Sequence, residues 1–230
     1  MFSIQAAQEA ETIRPIRGGG LDDPRLYDTY RRIFSSLDLP TNVQPVIIGV
    51  TSAVGGEGRT TVALGLAQTL AADLDVPVSL VEMDLARPAL ARRFDVALGP
   101  GLSEVLRGEY RFKEVGRVIS ERLSIITTGA AGPDSARLLH RVKAHDPLRS
   151  SHGLEGVVIL DLPPLLDRGY SALAADVADA VVLVVRSGVT SADIVREAIA
   201  LLEKPPQGII LNDAPRPSRF ARRFRRGRGV

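Results

Sequence analysis

The chain has 230 residues, of which 45% are hydrophobic, and this is enough to bury one sizeable core. It has no cysteine, which excludes disulfides, thiolate metal sites and thiol nucleophiles. No apolar run approaches the roughly 18 residues of a membrane span, and the N-terminal segment carries charge where a signal peptide has its apolar core. The sequence therefore predicts one globular, cytoplasmic domain.

The net charge of +2 conceals an uneven distribution. Seven arginines and no acidic residue follow Asp213, so taking these seven from +2 leaves −5 for the rest of the chain. A short, basic tail that contains Pro and Gly is typical of disorder, and the N-terminal segment ending in Gly18-Gly19-Gly20 has a similar character. We therefore predict a flexible segment 1–21, a globular domain 22–213 and a disordered arginine-rich tail 214–230.

Apolar runs and amphipathic segments alternate along the globular part. The first predicted helix begins at Asp23-Pro24, and an apolar stripe along it is formed by Leu26, Tyr30, Ile33 and Leu37. Predicted strands follow at residues 46–50, 78–83, 123–128, 157–162, 180–185 and 208–211. Further helices are predicted at 61–74, from an Asp134 cap to residue 142, and from a capping box of Thr190 with Asp193 to about residue 203.

Most of these strands are continuously apolar, which is typical of strands covered on both faces. Strands separated by helices predict an α/β fold with a doubly wound, mainly parallel sheet and helices on both faces. In such sheets the ligand site lies beyond the carboxyl ends of the strands.

The glycine-rich loop of residues 52–61 falls at that edge, between the first strand and the next helix. Small residues there allow several backbone N–H groups and a helix N-terminus to converge on anionic oxygens, so the loop predicts phosphate binding. A purely structural turn is the alternative. A dinucleotide fold is disfavoured, because the glycine spacing with Thr60-Thr61 suits a loop that holds phosphate and magnesium.

Acidic residues end two other predicted strands. Glu82 and Asp84 lie at the end of the second strand and Asp161 at the end of the fourth. Mg²⁺ takes few protein oxygens and bridges phosphate oxygens, so carboxylates beside a phosphate loop predict a magnesium site. The alternative is that each acid is a solvated strand cap.

Together these segments resemble the bacterial tyrosine kinases of capsule and exopolysaccharide synthesis. That family is a branch of the deviant P-loop ATPases, which also include cell-division and plasmid-partition ATPases. The resemblance covers about residues 24–213 and implies a three-layer P-loop NTPase sandwich. Its motifs are the loop 51–61, the second acidic motif 82–88, the segment Gly101-Leu102-Ser103-Glu104-Val105-Leu106, the third motif 157–164 and the strand 180–186. Partition-type ATPases carry an extra loop lysine where this chain has Val54, which favours the kinase branch.

The resemblance implies ATP or ADP with Mg²⁺ as cofactors, and it assigns roles to particular residues. The implied phosphate-binding segment consists of Gly55, Gly56, Glu57, Gly58, Arg59, Thr60 and Thr61. The implied metal ligands are Thr60, Glu82 and Asp161, and the implied catalytic residues are Arg59, Glu82 and Asp84. Asn212 matches an adenine-contacting position of the superfamily, although an asparagine that simply ends a strand is an equal alternative.

Several positions depart from the family pattern. Arg59 stands where the family loop has lysine, and a planar guanidinium cannot occupy the same point as an ammonium group. In the second acidic motif Glu82 replaces the first aspartate and Ala86 replaces an arginine, with Arg87 one position later. No tyrosine follows Tyr170, whereas the family kinases phosphorylate a C-terminal tyrosine cluster.

The segment 28–34 resembles the helix that packs family subunits into a ring. It keeps Arg31, has Asp28 for glutamate and has Phe34 in place of a second arginine. A homo-oligomer and an ordinary surface helix therefore both remain open.

These features lead to a first hypothesis: a nucleotide-binding protein of capsule or exopolysaccharide biosynthesis with weak or no kinase activity. It would regulate an inner-membrane chain-length or export protein from the inner face of the membrane. The arginines of residues 216–228 could contact anionic lipid or an acidic partner, with Phe220 and Phe224 forming an apolar turn, and nucleic acid is the least favoured ligand. The alternatives are an active tyrosine kinase that acts on another protein, and a partition-type ATPase on membrane or DNA.

Overall fold

The structure is a computed structural model that describes residues 24–40, 43–150 and 153–214. The predicted N-terminal segment 1–21 and nearly all of the predicted tail 214–230, including Phe220 and Phe224, lie outside these ranges. Among the described helices, none combines the length and the apolar character needed to cross a bilayer.

A seven-stranded sheet forms the centre of the domain, with the order β3-β4-β2-β5-β1-β6-β7. Every neighbouring pair is parallel except β3 with β4. The strands are β1 (Val46–Ser52), β2 (Val78–Glu82), β3 (Arg117–Val118), β4 (Leu123–Ile126), β5 (Val157–Asp161), β6 (Ala180–Arg186) and β7 (Gly208–Asn212). The predicted α/β class with a mainly parallel, doubly wound sheet is confirmed, and each of the six predicted strands is present.

Helices lie on both faces of this sheet. They are α1 (Pro24–Ser35), α2 (Arg59–Asp73), α3 (Leu90–Phe94), α4 (Leu102–Arg107), α5 (Phe112–Val115), α6 (Ser135–His145), α7 (Ser171–Ala175) and α8 (Ala192–Ala200). One apolar core joins α1 and α2 to one face, and a second core joins α4, α6 and α7 to the other. β1 contributes to both, with Ile48 on the first face and Ile47 on the second.

The predicted stripe on the first helix packs as expected. Tyr30 is buried, and Leu26 and Ile33 pack partly buried against the same core. Gly65 of α2 makes this approach possible, since a Cβ there would lie 2.5 Å from the Tyr30 hydroxyl oxygen. The stripe thus holds α1 against the helix that follows the glycine loop.

Two cap predictions differ from the structure. The cap of α8 is Ser191, whose hydroxyl accepts the Ile194 N–H, whereas the Thr190 hydroxyl donates to Glu57 instead. Asp134 stands at the cap of α6 without a side-chain cap bond, and its carboxylate is paired with Arg107. The helices form at the predicted places, but the Thr190 and Asp134 side chains bond to Glu57 and Arg107 and do not cap them.

Candidate functional site at the glycine loop

The glycine loop connects the end of β1 to the start of α2 and leaves its outer surface open. Gly55 and Gly56 are exposed, and a Cβ on Gly56 would meet no atom within 4 Å. Gly56 and Gly58 have φ angles of +84° and +90°, a region that favours glycine because a Cβ would be strained there. The loop therefore offers backbone groups and the N-terminus of a 15-residue helix to a ligand, as predicted for phosphate.

Glu57 supports the loop from the inside. Its side chain is buried, with one carboxylate oxygen accepting the Val54 N–H at 2.9 Å. The other oxygen accepts the Arg186 N–H at 3.0 Å and the Thr190 hydroxyl at 2.6 Å. The backbone of Glu57 belongs to the predicted phosphate-binding segment, whereas its carboxylate connects that segment to the end of β6.

Asn212 also holds the loop. Its side-chain amide donates a hydrogen bond of 2.9 Å to the Glu57 carbonyl oxygen. The strand-ending asparagine is therefore engaged by the protein's own backbone in this structure, and an adenine contact stays a prediction.

Arg59 is the first residue of α2, and its guanidinium lies between two acidic side chains. Its Nη2 is 2.9 Å from Asp84 Oδ2, and its Nε is 3.4 Å from Asp161 Oδ1. The Arg59 side chain is 13% exposed, and those of Asp84 and Asp161 are 6% and 1% exposed. The third nitrogen, Nη1, is buried and has no hydrogen-bond partner among the described residues. The structure thus brings Arg59, Asp84 and Asp161 together, as the motifs predict.

Asp161 is the most enclosed acid of this group. Burial raises the pKa of its carboxyl, while the charge of Arg59 and a hydrogen bond with the Thr60 side chain oppose that rise. Thr60 and Asp161, two of the predicted metal ligands, are therefore neighbours.

Glu82 has different surroundings from those predicted. Its Oε1 accepts the N–H groups of Ala89 and Leu90, the latter at 2.9 Å, and its Oε2 accepts the Thr128 N–H at 3.4 Å. Burial raises the pKa of Glu82 to about 7, partly offset by these amides. The Glu82 oxygens therefore accept hydrogen bonds from the backbone at the start of α3 and just after β4. These contacts do not support the predicted metal and catalytic roles.

Two arginines that the sequence did not single out for the site lie beside the loop. Arg93 Nη1 donates to the Thr61 hydroxyl at 3.2 Å, and burial lowers the pKa of Arg93 against the opposing charge of Asp161. Arg87 Nη1 pairs with Asp167 at 2.8 Å and lies 3.0 Å from where a Cβ on Gly55 would stand. The sequence places Arg87 one position after the family arginine, and nothing in the local sequence of Arg93 indicates its approach to the loop.

Arg31 lies in the segment that resembles the ring-packing helix of the family, and here it makes contacts within the chain. Its Nε lies 2.6 Å from Asp73 at the end of α2, and its Nη1 lies 2.9 Å from Asp28. Assembly into a ring stays a prediction.

The fit to a phosphate ligand and the fit to a metal ion differ. The open glycines, the N-terminus of α2 and the cations Arg59, Arg87 and Arg93 suit an anionic ligand. The oxygen donors Thr60, Asp84 and Asp161 suit Mg²⁺ in kind, but the Arg59 guanidinium already bonds to both carboxylates. In the described part of the chain, no group of three or more His, Asp or Glu side chains could hold a metal ion. As arranged, the site fits phosphate, and a divalent ion would have to displace Arg59 from Asp84 and Asp161.

Comparison with solved structures identifies the fold class of the chain. No protein-family model matches the chain. The kinase domain of VpsO superposes with a TM-score of 0.65 at 28% identity, covering 74% of this chain and 85% of that domain. A ParA family ATPase from Chlorobium tepidum shares the fold alone, with a TM-score of 0.53 at 17% identity over 80% of this chain and 81% of its own. The fold is therefore that of the P-loop ATPases.

Curated sequence relatives with this fold are bacterial tyrosine kinases. Tyrosine-protein kinase YwqD of Bacillus subtilis is 29% identical over 190 residues, which is 80% of each chain. Tyrosine-protein kinase Etk of Escherichia coli is 30% identical over 173 residues, which is 72% of this chain and 23% of Etk. This chain is a homologue of the bacterial tyrosine kinases, and it spans most of YwqD but less than a quarter of Etk.

Proposed function

We propose that this chain is a nucleotide-binding protein of capsule or exopolysaccharide biosynthesis whose kinase activity is weak or absent. The observation that carries the proposal is the position of Arg59, which begins α2 below an open glycine loop while its guanidinium is held by Asp84 and Asp161. The loop retains what phosphate binding needs. Where the family has a lysine directed at the outer phosphates, the Arg59 guanidinium here gives Nη2 and Nε to two carboxylates and leaves only Nη1 without a partner among the described residues.

The predicted loss of catalysis follows from the same contacts. Removing one positioned donor from a developing charge costs roughly 3 to 4 kcal/mol in activation free energy, and a misplacement of about 1 Å can cost about 100-fold in rate. Asp84, the candidate acceptor of the hydroxyl proton, is held in a buried ion pair with Arg59. Its Oδ2 accepts from Arg59 Nη2 and its Oδ1 accepts the Arg87 N–H at 3.2 Å, so both carboxylate oxygens already have donors.

Direct titration with ATP and with ADP tests nucleotide binding. We expect saturable binding, and we expect Arg93→Gln and Arg87→Gln to weaken it because each removes a cation beside the loop. Arg196→Gln is the matched control, since Arg196 is exposed on α8 and pairs with Asp193 of the same helix. Absence of saturable binding at millimolar ATP and ADP contradicts the proposal.

An active tyrosine kinase is the second candidate, because the curated relatives YwqD and Etk are tyrosine kinases. In that case Arg59 performs the role of the lysine, and the acceptor is a tyrosine of another protein. Radiolabelled ATP with candidate acceptors tests this directly. Transfer that is abolished by Asp161→Ala favours the kinase, whereas no transfer by the wild type and little gain from Arg59→Lys favours the binding protein.

The proposed setting is the inner face of the cell membrane, in contact with a chain-length or export protein. The support is the family resemblance together with the arginines of residues 216–228, which would add about 1 kcal/mol each near an anionic leaflet. Co-sedimentation with vesicles containing anionic lipid tests the lipid contact. Equal sedimentation of the full chain and of a chain ending at Asp213 contradicts it.

A partition-type ATPase on membrane or DNA is the least supported candidate, because Val54 stands where those ATPases have a lysine. Such an enzyme would form dimers when ATP is bound. Sedimentation velocity that shows a monomer with and without ATP removes this candidate.

A further inference from the structure

Asp84 and Asp161 come from separate parts of the chain but share one cation. Asp161 ends β5, Asp84 follows β2, and these two strands are parallel neighbours in the sheet. Arg59 donates to Asp84 through Nη2 at 2.9 Å and to Asp161 through Nε at 3.4 Å. One guanidinium therefore bonds to both carboxylates at the place where the sequence motifs predict a divalent ion.

The physical reason that this arrangement persists is the cost of burying charge. Two carboxylates that are at most 6% exposed require a cation nearby, and either a metal ion or an arginine can supply it. Arginine stays protonated in proteins, and its planar fork carries donors suited to carboxylates. Because Arg59 is attached to the loop by its own backbone, it is present at the site at every metal concentration, and a free ion must displace it.

We infer that Arg59 takes the place of the divalent ion in this site, so that the chain binds nucleotide phosphates without a divalent metal. The inference rests on the proposed nucleotide binding. The sequence motifs predict that Mg²⁺ binds together with the nucleotide, whereas this inference predicts that the nucleotide binds without it.

The remaining groups of the site are consistent with a phosphate ligand held without a metal ion. Arg59 Nη1 is buried and has no partner among the described residues, and a phosphate oxygen is the acceptor that a bound nucleotide would supply. Arg93, bonded to the Thr61 hydroxyl, and Arg87, beside Gly55, provide further positive charge. Arg87 and Arg59 already pair with carboxylates, whereas Arg93 bonds to a neutral hydroxyl and can offset part of the negative charge that a metal ion usually neutralises.

Nucleotide affinity measured in excess Mg²⁺ and in EDTA tests the inference on the wild-type chain, without any variant. We expect the Kd for ADP and for ATP to differ by less than about twofold between the two conditions. In Arg59→Gln, which frees both carboxylates, and in Arg59→Lys, whose ammonium cannot bridge them in the same way, we expect Mg²⁺ to tighten binding by about tenfold or more. Wild-type binding that tightens tenfold or more with Mg²⁺ overturns the inference and leaves the proposed nucleotide binding intact.

A measurement without nucleotide separates failure of this inference from failure of the proposed function. Electron paramagnetic resonance of Mn²⁺ titrated into the nucleotide-free protein reports bound metal directly. We expect no bound Mn²⁺ at this site in the wild type, bound Mn²⁺ in Arg59→Gln, and the wild-type result in the surface control Arg196→Gln. Mn²⁺ bound by the wild type as tightly as by Arg59→Gln overturns the inference even if no nucleotide binds. Absent nucleotide binding in both Mg²⁺ and EDTA overturns the proposed function.

Discussion

The side-chain amide of Asn212 donates a hydrogen bond of 2.9 Å to the carbonyl oxygen of Glu57, which ties the end of β7 to the glycine loop. This bond joins residues 155 positions apart in the sequence. It fixes the loop backbone just before the N-terminus of α2, where the proposed phosphate ligand binds.

We predict that Asn212→Ala weakens ADP and ATP binding by about fivefold, because a net hydrogen bond contributes about 1 kcal/mol to holding the loop. Asn212→Asp is expected to be worse than Asn212→Ala, since a carboxylate cannot donate and would face a carbonyl oxygen. Nucleotide titration of the three proteins checks the order. If Asn212→Asp binds as tightly as the wild type, the bond does not position the loop.

Gly58 is predicted to be the least replaceable glycine of the loop. Its φ is +90°, and a Cβ there would lie 2.0 Å from Asn212 Nδ2. Gly56 has a similar φ of +84° but open space around it, so Gly56→Ala should cost only the strain, about 1 kcal/mol in the free energy of unfolding. Gly58→Ala should cost clearly more.

Chemical denaturation of both variants measures this difference, with Gly208→Ala as the control because a Cβ there meets nothing within 4 Å. In the double variant Gly58→Ala with Asn212→Ala the clash is absent, so its cost should be smaller than the sum of the single costs. Additive costs would show that Asn212 is not the obstacle.

Glu57 is predicted to stabilise the domain as well as the loop. Glu57→Ala leaves the N–H groups of Val54 and Arg186 and the hydroxyl of Thr190 without their acceptor. The expected loss is about 3 kcal/mol in the free energy of unfolding, because each part-buried donor that loses its acceptor costs about 1 kcal/mol. Glu197→Ala, at an exposed position of α8, should stay within about 0.5 kcal/mol of the wild type in the same urea titration. A loss as small as that of Glu197→Ala would contradict this role.

The sequence predicted the parts of the fold that depend on local patterns. Continuous apolar runs identified six strands, and the glycine loop with Asp84 and Asp161 identified the edge of the sheet where these residues meet. The two-residue β3 was missed because it is too short for a periodic pattern, and it pairs antiparallel with β4 through contacts that only the folded chain creates. The short helices α3, α4, α5 and α7 were missed for a similar reason.

Side-chain partners were harder to predict than elements. The motif order showed that Arg59 replaces lysine, but the direction of its guanidinium depends on carboxylates 25 and 102 residues away. Likewise Glu82 matches a metal-binding motif in sequence, whereas in the structure its Oε1 accepts hydrogen bonds from the N–H groups of Ala89 and Leu90. A motif fixes which residues are near each other, and competition among neighbours decides which of them bond.

Glu82 leads to a prediction about pH. Burial raises its pKa from 4.5 to about 7, so between these values the folded protein holds a proton that the unfolded chain releases. The free energy of unfolding must therefore fall as pH rises from about 4.5 to 7 and level off above that, by an amount on the order of 3 kcal/mol. Glu82→Gln carries no such proton and should lack this contribution.

Urea denaturation of the wild type and Glu82→Gln from pH 5 to pH 8 measures the effect. The pKa of Asp161 is also raised by burial, and its charge raises the pKa of Glu82, so the difference between the two proteins reports Glu82 together with this coupling. We expect the stability of Glu82→Gln relative to the wild type to increase steadily with pH up to about 7 and then to stay constant. Parallel curves across the whole range would mean that Glu82 is ionised in the folded protein, with the amides of Ala89, Leu90 and Thr128 sufficient to hold its charge.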